Sequence, residues 1–175
     1  MGMLDFFKHA GEKLFGHKPE EAEQVAAAAV AAPDDGAAKA QLDALNRAAA
    51  DGIETYIKAQ GLSATGLTVT FDAGSGTVNV FGVAPDQTTK EKIVVCCGNV
   101  HGVEHVNNNL TVDQSEAETE SDYYTVVKGD TLSKISKEFY DTPNKYMAIF
   151  EANKPMLSHP DKIYPGQMLL IPDEA

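Results

Sequence analysis

Apolar positions along the chain change their period several times, and each change marks an element. Near the start, Met3, Phe6, Phe7, Ala10 and Leu14 recur every three or four residues. That spacing predicts an amphipathic helix, with Gly11 as its weak point and Gly16 as its stop. No neighbouring segment covers its apolar face, so the helix is expected to dock further along the chain or on a partner. Residues 20 to 40 are rich in Ala and acids and are broken by Pro33-Asp34-Asp35-Gly36, which predicts a frayed helix and then a turn. From Lys39 to Gln60, Leu42, Leu45, Ala49, Ile53, Tyr56 and Ile57 return at helical spacing, and Gly61 closes the element.

The period then falls from 3.6 to 2. Leu67, Val69 and Phe71 alternate with Thr68 and Thr70, and Val78, Val80 and Gly82 follow across Asp72-Ala73-Gly74-Ser75-Gly76. This predicts an antiparallel hairpin. Thr88 with Glu91 three residues on is a capping-box pattern, opening a helix through Ile93, Val94 and Cys97 that Gly98 ends. A loop with glycines at 98 and 102 leads to a last strand, Val103 to Val112. The run from Asp113 to Asp122 has no apolar residue larger than Ala and reads as an extended, self-repelling linker. Beyond it come a strand, Tyr123 to Val127, and a helix opened by Asp130 or Thr131 with Leu132, Ile135 and Phe139 inward. Next are a helix capped by Thr142 with Pro143 first, and a strand, Met168 to Ile171. The fold class is therefore α+β in two small domains, α-β-β-α-β with an N-terminal helix and then β-α-α-β. The expected boundaries are 1–19 for the helix, 20–37 for the Ala-rich linker, 38–112 for the first domain, 113–122 for the acidic linker and 123–175 for the second domain.

Charge narrows the function. The formal net charge is −12, the wrong sign for a protein that tracks phosphates or lies on anionic lipid, so neither nucleic acid nor a membrane is an expected partner. The excess is uneven: residues 113 to 122 carry five acids and no base. No run of 18 apolar residues exists, and Met1 to Lys8 lacks the basic start, apolar run and cleavage site of a secretory signal, so the expected compartment is the cytoplasm. Cys96 and Cys97 are adjacent on an apolar helix face and read as small core residues. His9, His17, His101, His105 and His159 are scattered, and His101 with His105 brings no Cys or spaced acid for zinc. No nucleophile elbow, phosphate-cradling loop or paired carboxylate is present, so the chain is read as a binding protein, not an enzyme, and as a monomer.

Three segments carry a family resemblance. Tyr124 to Ser136, with Ile149-Phe150-Glu151-Ala152-Asn153 and Ile163 to Pro172, resembles a LysM domain. Gly76 to Val83 and Val103 to Val112 look like the second and last strands of a BON domain. The order BON then LysM, with Met1-Gly2, Ala10-Gly11-Glu12-Lys13-Leu14 and the segment Glu151 to Leu157, resembles the bacterial cytoplasmic potassium-binding proteins.

That resemblance implies a potassium sensor that becomes more compact on binding K+, with Rb+ or Cs+ able to replace it. A potassium site needs a cage of oxygens that replaces the hydration shell, and backbone carbonyls suit it. Helix C-termini leave such carbonyls free beside the negative end of the macrodipole. The family's carbonyl ligands carried onto this chain fall on Phe7, Ala10 and Glu12 in the first segment and on Gly98, Val100 and Val103 in the loop. The alternative implied by LysM is an envelope adaptor that binds N-acetylglucosamine-containing glycan. Its groove would be formed by Gly129, Asp130, Thr131 and Leu132 with Ile163, Tyr164, Pro165 and Gly166. Glycan is disfavoured as a partner because the chain shows no export signal.

Overall fold

The computed structural model describes residues 36–113 and 120–173. The expected N-terminal helix, with Phe7, Ala10 and Glu12, lies outside them, as do most of the Ala-rich segment and the centre of the acid run.

The first helix, α1 (Gly36–Ala59), starts three residues before Lys39, because Ala37 and Ala38 are strong helix formers and extend it back through Gly36, which had been read as part of a turn. Ala49, Ala50, Ile53 and Ile57 form its buried stripe. Strands β1 (Thr65–Asp72) and β2 (Thr77–Ala84) make the expected antiparallel hairpin, pairing Val69 with Val80 and Phe71 with Val78. Helix α2 (Gln87–Gly98) then crosses over, so that β3 (His105–Val112) runs parallel to β2 with the strand order β1-β2-β3. Residue alternation sends Val69, Val78, Val80 and Leu110 toward the helices, where they meet Ile53, Ile57, Ile93, Val94, Cys96 and Cys97. The other sheet face is exposed and mixed, with Phe81 and Val83 beside polar residues; there Asn79 Nδ2 donates to Thr70 Oγ1 and Asn107 Nδ2 to Asn79 Oδ1.

Two expectations in this half are corrected. The cap of α2 is Asp86, not Thr88: Asp86 is extended and its Oδ1 accepts from Thr89 N at 2.6 Å. Glu91 does not fold back to a cap; it is buried, and its Oε1 accepts from Gln87 Nε2 at 2.7 Å and from Ser121 N at 2.9 Å. The last strand begins at His105, not Val103, because the N–H groups of Glu104 and His105 both turn to the Gly76 carbonyl.

The second half is built from β4 (Asp122–Thr125), α3 (Leu132–Tyr140), a 3-10 turn (Pro143–Lys145), α4 (Tyr146–Ala152) and β5 (Met168–Ile171). β4 starts one residue early and ends at Thr125, two short of Val127, which is largely exposed. β4 and β5 pair antiparallel. Of the two candidate caps for α3, Thr131 is the one used, accepting from Lys134 N. Thr142 caps the 3-10 turn as expected, with Pro143 first. Leu132 and Ile135 point into the core with Ile149, Leu157 and Leu169, whereas Phe139, expected inward, is 36% exposed and stands edge-on to Tyr124. An apolar residue on the margin of a short helix is covered by one aromatic ring here.

The two halves touch. Met156 and Leu170 of the second belong to the hydrophobic cluster of the first, so the cores merge across the joint. Among the described residues no helix is long and apolar enough to cross a membrane.

Candidate functional site

The loop after α2 is held at both ends. At its far end the Gly76 carbonyl accepts from Glu104 N at 2.8 Å and His105 N at 3.2 Å. At its near end α2 stops on Gly98, and Asn99 N donates back to Val95 O and Cys97 O. Gly98 ends the helix as expected, but its backbone is still helical, and its lack of a side chain serves packing. A Cβ there would lie 2.7 Å from both Sδ and Cε of Met168, so β5 rests directly on the helix end. Gly102 does need its freedom: its φ is 85°, which L side chains rarely adopt, and a Cβ would meet nothing within 4 Å.

Between these anchors the three candidate carbonyls differ. Val100 O accepts from Val103 N at 3.1 Å, which leaves a second lone pair. None of the loop and turn hydrogen bonds among the described residues ends on the carbonyl of Gly98 or Val103. Neutral oxygens of this kind, at the negative end of a helix, fit a large monovalent cation better than a hard divalent one, which asks for carboxylates. Among the described residues no three His, Cys, Asp or Glu side chains gather into a metal-binding group. Phe7, Ala10 and Glu12 lie outside the described residues.

Asn99, which the sequence reading passed over, ties this loop to the second domain. It is 9% exposed; its Nδ2 donates to Met168 O at 2.9 Å and its Oδ1 accepts from Met168 N at 2.8 Å. Asn153 does the same two residues along, accepting from Leu170 N and donating to Leu170 O and Ile149 O. Strand residues two apart present N–H and C=O on one edge, so two asparagines, one from each domain, occupy the free edge of β5.

The cysteines behave as core. Cys96 and Cys97 are free and buried, and burial pushes the Cys96 thiol up to about 12 and the Cys97 thiol higher still. Burial also raises the hydroxyl of Tyr56, with smaller contributions from Cys96 and from Tyr164 of the second domain. Tyr164 itself is pushed up to about 12 by burial.

The candidate glycan loops spend their polar groups internally. Asp130 accepts from the Tyr124 hydroxyl and from Val127 N, and Gly129 O accepts from Lys134 Nζ. Thr131 is a helix cap and Leu132 is buried. On the other side Gly166 N donates to Val126 O, Tyr164 N donates to Gln167 Oε1, Ile163 packs on the core and Pro165 is exposed.

Residues 47–114 match the BON domain and residues 124–172 the LysM domain. Over 174 residues, 99% of this chain and 100% of the relative, the sequence is 41% identical to the potassium binding protein Kbp of Escherichia coli O6:H1. An uncharacterized protein of Deinococcus radiodurans is 43% identical over 63 residues, 36% of this chain and 24% of that one. A two-domain chain aligned end to end at this identity shares its whole architecture, and this chain belongs to the family of BON–LysM potassium-binding proteins.

Proposed function

We propose that this protein binds potassium in the cytoplasm through backbone carbonyls and acts as a sensor, the bound form being more compact than the free one. The observation that carries the reading is the end-to-end similarity to a relative named for potassium binding. The carbonyls of Gly98 and Val103, on which no loop or turn hydrogen bond among the described residues ends, and that of Val100, which accepts one, support it. In this reading Phe7, Ala10 and Glu12 supply the remaining oxygens, and Rb+ or Cs+ fits where K+ does, because each is large enough to accept many weak dipoles. An ion held jointly by the N-terminal segment and the loop stabilises the assembled state by mass action. Catalysis has no part in this reading.

The LysM match alone supports a glycan reader less well. Its candidate loops have Gly129 O, Asp130 and Gly166 N already engaged, and Tyr164 half-buried. Thermal unfolding in KCl against NaCl at equal ionic strength tests the potassium reading. With K+ at about 100 times its dissociation constant, mass action stabilises by about 2.7 kcal/mol, and the midpoint should rise by about 5–10 °C. Equal midpoints in the two salts contradict it.

A further inference from the structure

The loop that bears the proposed ligands and the strand that docks on it meet at one residue. Asn99 lies between Gly98 and Val100, so the peptide plane carrying the Gly98 carbonyl ends on the Asn99 nitrogen, and Asn99 φ sets its tilt. That angle is fixed from two sides: the backbone N–H is bonded to Val95 O at 3.0 Å, and the side-chain amide is bonded to both polar groups of Met168. The Met168 side chain lies on the face of Gly98 where a methyl group would not fit. BON holds β5 by its backbone, and β5 holds the end of α2 by its side chain.

We infer that Asn99 is a positioning residue for ion binding, and that the LysM strand β5 is part of the ion-binding machinery through Asn99 and Gly98. This rests on the potassium reading above and deepens it by naming the joint. When LysM is docked, the Gly98 plane is held ready. When it is undocked, water replaces Met168 at the Asn99 amide, the plane keeps only its bond to Val95 O, and the ion must complete the ordering of the loop. Ion affinity and docking are then one coupled equilibrium, and each side shifts the other by the same factor. The contact further back on α2, where Glu91 takes Ser121 N, lies about two helical turns from Gly98 and makes no bond to the loop.

The test uses the full chain. Potassium affinity is measured by calorimetry for the wild type, Asn99→Leu, Met168→Ala and Phe81→Ser, the last on the exposed sheet face. Amide spectra follow Met168 during each titration. Asn99→Leu keeps the side-chain volume but loses both bonds; it should bind K+ at least tenfold more weakly. Met168→Ala keeps the bonds and removes the packing on Gly98; it should weaken binding several-fold, and Phe81→Ser should not change it. In the wild type the Met168 amide should move with K+, although it carries no proposed ligand, and in Asn99→Leu it should stay still while loop amides move. A merely adhesive Asn99 would leave loop affinity untouched. Wild-type affinity within twofold in both Asn99→Leu and Met168→Ala, or a Met168 amide indifferent to K+ in a wild type that binds it, overturns the inference and leaves the potassium reading standing. A wild type that takes up no K+ overturns both.

Discussion

Single residues set the geometry of the candidate loop, and the sequence shows their positions more readily than their reasons. Gly98 and Gly102 stand out by type, but they do different things. Gly102 turns the chain at positive φ, whereas Gly98 makes room for Met168, a residue 70 positions away that no local pattern connects to it. Asn99 and Asn153 were invisible as a pair for the same reason: each looks like an ordinary polar residue after a helix until β5 is placed between them. The three loop carbonyls carry no side-chain signal at all, so the family resemblance was the sole pointer to them. Gly102→Ala separates loop shape from stability. A Cβ there meets nothing, so the variant should be less stable by about 1 kcal/mol from the left-handed backbone alone. Potassium binding should weaken about tenfold as the Val100 to Val103 carbonyls turn. Denaturant unfolding and calorimetry on the same sample measure the two effects, and unchanged affinity would remove Gly102 from the site.

At the scale of elements, periodicity predicted type and order well, because the apolar stripes of α1 and the alternation in β1 and β2 are also the burial patterns. What it missed were ends. The cap of α2 lies two residues before the expected Thr88, and the choice between Asp130 and Thr131 at α3 fell to Thr131, because Asp, Thr and Ser all accept N–H bonds and tertiary contacts decide which one does. Polar side chains occupy the free strand edges. Glu54 accepts from Val69 N in β1 and Asn46 from Ala73 N just past its end, as Asn99 and Asn153 do along β5. Removing such a partner where the backbone is buried is expensive. Asn153→Ala strips the buried Leu170 N–H and C=O of their partners where the two cores meet and should destabilise the protein by about 3 kcal/mol. Chemical denaturation followed by tyrosine fluorescence checks it; a loss below about 1 kcal/mol would mean that water replaces the amide.

Among the described residues the molecule is two small cores joined by one strand edge and a shared apolar cluster. Met156 and Leu170 enter the BON core, Met168 caps the end of α2, and Glu91 takes up Ser121 where the acid run ends. The acid run was read as a simple spacer, yet its last residues are anchored: Lys90 Nζ meets Glu120 at 3.3 Å, and Asp122 already belongs to β4. Docking therefore places the second domain against the helix that ends in the candidate ion loop. Calorimetric titration of the full-length protein with K+, Rb+, Cs+ and Na+ tests the central claim most directly. A carbonyl cage predicts saturable heat with K+ at millimolar or lower concentration, comparable binding of Rb+ and Cs+, and much weaker binding of Na+. No saturable heat with K+, or equal binding of Na+, would contradict it.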